Sequence, residues 1–362
     1  MSEGQRAPEG EQPKNASVRG CARQMWEQVN IRGARVALGM GLSLLCLWLA
    51  FRDVPVSQIV AALGRADGRF VTLSVGLTLA GTLMRAARWK LLYYPDHKSL
   101  NIFKLSEALF ISQMLNIVIP ARLGEIARLY FMGKLEARSK ARTLGTILVE
   151  KWLDMLSLLV LMFLVPVSIS LPAWFQDSRG SLIVLAVVFF GVTLTLSYGK
   201  DWLLARLESM ARFLPQDWRM RIQQTVSLTL ASLDVLRFPW VGLQLQGWSF
   251  LIWSMGILEN YIVFLALGLF LPFAAALFLL VVLQVGIAVP SAPGKLGVFQ
   301  YLCILALAPF GVDKSAALVF SVLLYLVAFG PLLFLGAFFI WWDGVRERRV
   351  KPFTTQLFED EK

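Results

Sequence analysis

Residues 316–341, AALVFSVLLYLVAFGPLLFLGAFFIW, run without a single charged side chain. About 17–25 such residues, as a helix, cross the roughly 30 Å hydrocarbon core of a bilayer. Further apolar runs lie at about 35–51, 70–88, 144–169, 181–199 and 241–271. The last is one long helix or two short ones around Glu259-Asn260. Lipid offers no hydrogen-bond partners to a backbone, so these spans must be helical or belong to a closed barrel. Their length fits helices. Only 16% of the 362 residues are charged, against about 25% in soluble domains. The chain therefore reads as an all-α polytopic membrane protein.

The net charge of +11 does not point to nucleic acid, because Lys and Arg gather in the loops beside the spans, as the positive-inside rule requires. Cys21, Cys46 and Cys303 lie far apart, with no zinc or disulfide spacing. His97 is the only histidine, which excludes His-based triads and HExxH metal sites. Neither a metal nor a cofactor is expected. Residues 1–34 are polar and basic and read as a cytoplasmic tail before an uncleaved anchor. The membrane domain is placed at 35–342 and a second basic cytoplasmic tail at 343–362.

Two apolar regions are broken. NIVIP at 116–120 and GIAVP at 286–290 each lead into a glycine-containing kink and another short apolar helix. Irregular backbone at membrane depth is tolerated where it is buried or lines a cavity. Residues 105–133 and 274–310 are therefore expected to be re-entrant hairpins. Together with about six full spans they give eight or more membrane helices. Residues 121–143 hold six Lys or Arg and 170–180 only Arg179, while the 200–238 segment holds six against four acids. Threading the spans through these loops puts both termini inside, and the two hairpins enter from opposite faces. Such an inverted repeat binds its cargo between broken helices near the midplane.

Charged side chains collect at three places. On a helix starting after Pro120, Arg122, Glu125 and Arg128 follow at spacings of three and share a face. One reading is an interfacial cluster meeting lipid phosphate. The other treats PARLGE as a unit: Pro120 breaks the helix, Gly124 admits a second backbone, Arg122 offers a fork suited to phosphate, and Glu125 holds an arginine or a cationic headgroup. In VEKWLDML, Glu150 and Asp154 are four apart beside Lys151. Glu150 stands seven residues beyond Thr143, about 10 Å inward. Ionisable groups at such depth face a bundle interior or a polar cavity, either as a structural tie to Arg85, Arg88 or Arg122 or as a binding site. Arg85, Arg88 and Trp89, ending the 70–88 run, are read as interfacial. In PSAPGKLGVFQ, Lys295 is the only charge between 271 and Asp313. That turn is either an anion cradle or a plain loop in the headgroups.

Taken in order, P-x-R-x-G-E-x-x-R at 120–128, E-K-x-x-D at 150–154 and P-x-x-P-G-x-L-G at 290–297 resemble the lysylphosphatidylglycerol synthase transmembrane-region family of flippase-like membrane proteins. In the synthases this region moves the aminoacylated lipid and precedes a soluble transferase. Here the chain stops twenty residues after the last span, so the synthase itself is not expected. The resemblance implies substrate contacts at Arg122, Glu125, Arg128, Glu150 and Asp154, with Lys295 and Gln300 added from the second break. Pro120, Gly124, Pro290, Pro293, Gly294 and Gly297 are implied as hinges. The family usually carries a glutamate where this chain has Gln300, which neither titrates nor pairs with a cationic headgroup.

The resulting expectation is a lipid transporter of the bacterial inner membrane. It would move or bind an anionic phospholipid or a lipid-linked intermediate, with a lipid-modifying enzyme or glycosyltransferase as a further partner. No P-loop is present. An intramembrane enzyme is the alternative, but DxD and spaced-aspartate transferase patterns are missing. A scaffold for lipid-linked glycan synthesis is the third reading.

Overall fold

The computed structural model describes residues 40–52, 54–119, 124–136, 139–168, 238–286 and 293–346, with isolated positions at 188, 191 and 235. The basic N-terminal tail, the expected 181–199 span and nearly all of the 200–238 segment lie outside the described residues, as do Pro120, Arg122 and Pro290. Every element described is helical: α1 Met40–Phe51, α2 Val56–Gly64, α3 Gly68–Leu91, α4 Ile102–Val118, α5 Gly124–Glu136, α6 Lys140–Ser168, α7 Pro239–Ala266, α8 Phe273–Gly286, α9 Val298–Leu307 and α10 Lys314–Arg346.

Local chemistry sets the helix starts. Asp67 accepts the Arg69 N–H at 2.8 Å before α3, and Asn101 accepts the Phe103 N–H at 2.9 Å before α4. Arg88 and Lys90 close α3, where positive charge meets the negative end of the helix dipole. Pro239 opens α7, a first-turn position at which its missing N–H costs nothing. Asp313 caps α10 by accepting from Ser315 Oγ at 2.5 Å and from the Ser315 and Ala316 N–H groups at 3.0 Å. The Ser315 hydroxyl, followed by the Ala316 N–H, holds the Asp313 carboxyl below its ordinary range. A depressed carboxylate stabilises the fold above its unfolded value and loses that contribution as pH falls through its folded one. Asp313→Ala should therefore cost about 1 kcal/mol at neutral pH, and the gap from wild type should close in unfolding curves measured at acid pH.

Three described helices are long and apolar enough to cross a membrane, Gly68–Leu91, Trp240–Ala266 and Lys314–Trp342; there are four if α1 and α2 form one bent span. Of the six full spans expected, the one at 181–199 lies outside the described residues. The 144–169 run does form one helix, the 29-residue α6, but Glu150, Lys151 and Asp154 interrupt its apolar character. α7 continues through Glu259-Asn260 without a break, because Asn260 is satisfied sideways: its Nδ2 donates to the Ala276 carbonyl of α8 at 3.2 Å. The last helix outruns the expected boundary at 342 and continues to Arg346.

α3 lies along α7, and the Asp67 N–H at the start of one donates to the Ala266 carbonyl at the end of the other (2.9 Å). α10 lies along α4, which folds back on α5. α8 is only 14 residues long, about 21 Å, and is apolar all round. Such a helix must be buried, and α6, α7 and α9 enclose it. Large side chains such as Phe103, Trp240, Phe270 and Phe334 stand outward, each more than 70% exposed. That much exposed apolar surface suits contact with lipid rather than water.

Candidate functional site

Arg88 is the hub of the site. It comes from α3 and is fully buried. Its Nη1 donates to Asp154 Oδ1 at 2.5 Å and to Ser249 Oγ at 2.7 Å. Its Nη2 donates to Glu150 Oε1 at 3.1 Å and to Asp154 Oδ2 at 3.2 Å. The second oxygen of Glu150 accepts from Arg128 Nη2 of α5 at 2.6 Å. Four helices, α3, α5, α6 and α7, thus converge on one ion network. The spacing of four between Glu150 and Asp154 puts both carboxylates on the face of α6 that meets Arg88.

The surroundings fix the arginines. The Arg128 guanidinium lies 3.9 Å from the centre of the Trp89 ring, and the Trp89 indole donates to Thr146 Oγ1 at 3.1 Å. Trp89 is fully buried, so neither it nor Arg88 is interfacial, contrary to the expectation from sequence. The physical reason is charge matching: two carboxylates inside α6 attract buried cations more strongly than headgroups attract snorkelling ones. Arg85, three residues before Arg88, stacks over Trp253 at 5.9 Å and has no carboxylate within ion-pair distance among the described residues. Within Arg85, Arg88, Arg128, Glu150 and Asp154, three positive charges face two negative ones. The Nε–H groups of Arg88 and Arg128 are buried without an acceptor among the described residues.

Among the described residues, which leave out Arg122, Glu125 holds no arginine. It pairs with Lys151 at 3.3 Å, while Arg128, three residues on, turns to Glu150. Cross-helix partners on α6 replace the pairing expected within α5. Next to it, Gly124 sits where a Cβ would meet the Ser112 carbonyl and the Asn116 side chain, and its N–H donates to Asn116 Oδ1 at 2.8 Å.

The second break forms a separate group. Pro293–Lys295 make a single turn with Gly294 at φ 71°, and the Tyr325 hydroxyl of α10 donates to the Gly294 carbonyl at 2.9 Å. Gly297, at φ 84°, faces the α1 backbone at Ser43 and Leu47. Gln300 is buried, and its Oε1 accepts the Gly297 N–H at 2.7 Å, an acceptor role that an uncharged amide fills. The Lys295 ammonium lies 5.8 Å from the Phe329 ring centre. This turn packs on the end of α4, with Gly294 beside the Ile117 carbonyl. The second break thus lies beside the end of α4, the helix whose sequence runs on to Pro120.

The family model for the lysylphosphatidylglycerol synthase transmembrane region matches residues 36–336. The chain belongs to that family. A UPF0104 membrane protein of Pyrococcus horikoshii is 24% identical over 324 residues, covering 84% of this chain and 95% of that protein. One from Methanothermobacter thermautotrophicus is 25% identical, covering 77% and 87%. Glycosyltransferase AglD of Haloferax volcanii is 25% identical, covering 82% of this chain and 53% of AglD. No solved structure matches. Membership in the synthase transmembrane-region family, with the apolar helices, makes this a multi-pass membrane protein.

Arg88, Trp89 and Ser249 were not legible as site residues. The available signal was the demand of Glu150 and Asp154 for buried cations. It narrowed the partners to Arg85, Arg88 and Arg122 without choosing among them.

Proposed function

We propose that this protein binds and moves a lipid with an anionic headgroup, either a phospholipid or a lipid-linked intermediate, across a bacterial inner membrane. The observation that carries the reading is the ion network on Arg88, with a third guanidinium, Arg85, nearby and two buried Nε–H groups that have no acceptor among the described residues. A phosphate would accept from such donors, and charge-assisted hydrogen bonds are the strong ones. The packing of the second break on the end of α4 supports alternating access, because cargo sites of inverted-repeat transporters form where broken helices adjoin. In this arrangement both termini are cytoplasmic, and two hairpins and six spans make up the domain. Glu150 and Asp154 orient Arg88 and Arg128, Arg122 receives the headgroup phosphate, and Glu125, Lys295 and Gln300 line the path between the breaks. A groove of about 510 Å³ between α3 and α7, lined by Lys90, Leu91, His97, Gln244 and Trp248 among others, suits a lipid with its acyl chains on the apolar side chains.

The similarity to AglD favours a lipid-linked glycan intermediate over a bulk phospholipid. It also keeps an accessory role beside a glycosyltransferase as the second reading.

The test is mass spectrometry of lipids co-purified with wild type and with Arg122→Ala. Arg122 is the variant of choice because Arg88 and Arg128 are built into the fold. An anionic lipid class enriched in wild type should fall about tenfold or more in the variant, the loss expected for one charge-assisted contact of 1.5–3 kcal/mol. Equal enrichment in both proteins removes Arg122 from the site. A partner glycosyltransferase at fixed stoichiometry, with no enriched lipid, favours the accessory role.

A further inference from the structure

A second acidic site stands apart from the Arg88 network. Glu259 lies seven residues inside the end of α7, about 10 Å along the helix. Among the described residues its only hydrogen-bond partner is the Thr78 hydroxyl of α3, which reaches Glu259 Oε1 at 2.7 Å. That hydroxyl also lies 3.1 Å from the Val327 carbonyl of α10 and 3.2 Å from the Ser74 carbonyl of its own helix. A hydroxyl has one hydrogen to give and can accept as well. Three acceptors therefore compete for a single donor.

The Val327 carbonyl is available for a specific reason. Four residues on, Pro331 sits inside α10 and has no N–H to offer back, so it frees the carbonyl of its i−4 neighbour. In a membrane such a carbonyl needs a donor from elsewhere. Thr78 can serve it or serve Glu259, and not both at once.

We propose that Glu259 is a proton-binding site, and that Thr78 couples its protonation to α10 at the Val327 carbonyl that Pro331 leaves unpaired. When Glu259 is ionised, the Thr78 hydrogen lies on its carboxylate. When a proton adds to Oε1, the new Glu259 O–H donates to Thr78 Oγ1, and the Thr78 hydrogen turns to the Val327 carbonyl. One proton enters, one hydrogen bond reverses, and one bond to α10 forms. Protonation thus lets one hydroxyl serve both Glu259 and the Val327 carbonyl, whereas the ionised state leaves that carbonyl without the Thr78 donor.

The neighbouring charges leave this role to Glu259. From α3, Arg85 is two turns away, and its charge bears on Glu259. From α6, Glu150 and Asp154 are paired with Arg88, and Lys151 with Glu125. α8 holds no titratable residue, and α10 holds Tyr325 near this level. Tyr325 bonds the Gly294 carbonyl, so the helix that reads the proton also grips the second break. Asn260, next to Glu259, grips α8, which leads into the same break. A proton at Glu259 is thereby linked to the turn that meets α4. The site stands whether or not a lipid is the cargo.

The test is pH-dependent infrared difference spectroscopy of the purified full-length protein in lipid, for wild type, Glu259→Gln, Thr78→Val and Thr78→Ser. A carboxylic-acid C=O band should grow in wild type as pH is lowered and vanish in Glu259→Gln. Its frequency and midpoint should move in Thr78→Val and stay near wild type in Thr78→Ser. If Glu259→Gln does not fold, the contrast between the two Thr78 variants decides. A band that persists in Glu259→Gln, the absence of any titrating band in wild type, or Thr78 variants that both match wild type each overturn the proposal.

Discussion

Arg88→Ala should destabilise the protein by about 3–5 kcal/mol, the usual cost of removing one partner from a buried ion pair. The geometry says why. Asp154 would lose both of its guanidinium hydrogen bonds, and Ser249 would lose the donor that reaches it from α3. Glu150 would keep Arg128, so the network would fail on its Asp154 side. Asp154→Asn, which keeps shape and removes one charge, should cost less, about 1–3 kcal/mol. Combining Arg88→Met with Asp154→Asn removes that pair's charges together while Glu150 keeps Arg128, and this double variant should be more stable than Arg88→Ala alone. Unfolding of the detergent-solubilised protein by denaturant titration measures all three. A cost below about 1 kcal/mol for Arg88→Ala, the range of a solvated pair, would mean that water reaches the network and weakens its claim as a site.

The second large effect is expected at Gly297. Its φ of 84° lies where L side chains carry strain, and a Cβ there would meet the α1 backbone at Ser43 and Leu47. Neither obstacle is a flexible side-chain tip. Backbone strain of about 1–3 kcal/mol adds to overpacking of similar size, so Gly297→Ala should cost about 2–6 kcal/mol. Gly76→Ala is the control. It sits in α3 with open space around it, and alanine there should stabilise by up to about 1 kcal/mol. Melting curves of the two variants side by side test the prediction. If both melt like wild type, α1 does not pack on the second break as described.

Much of the helical layout was legible, because a membrane span writes its period and length directly into composition. The ends of α3, α4, α6 and α10 fall within a few residues of the apolar boundaries. Residues 52–69, between two apolar runs, contain α2. Glu259-Asn260 marked a choice between one helix and two. The choice was settled by Ala276 and Thr78, which lie on other helices and leave no trace in the local sequence. The site was less legible for the same reason. An arginine that snorkels and an arginine that pairs inside a bundle have the same sequence neighbours, and only the packing of α6 against α3 separates them. At Glu125 and Arg128 the regular spacing predicted a shared face. α6 offered an ammonium to one and a carboxylate to the other, and the pairing followed α6.

The order in which the network's parts are made has its own consequence. Glu150 follows Arg88 by 62 residues and Ser249 follows it by 161. At about 5–20 residues per second, α3 waits roughly 3–12 s for its first counter-charge to be synthesised. During that interval a lone guanidinium near the end of α3 has to be accommodated by water, headgroups or the insertion machinery, at a penalty of about 2.5–3.5 kcal/mol if it is drawn to the bilayer centre. Arrival of α6 ends that unbalanced period. Nascent chains cut short before residue 150 would carry the mismatch indefinitely.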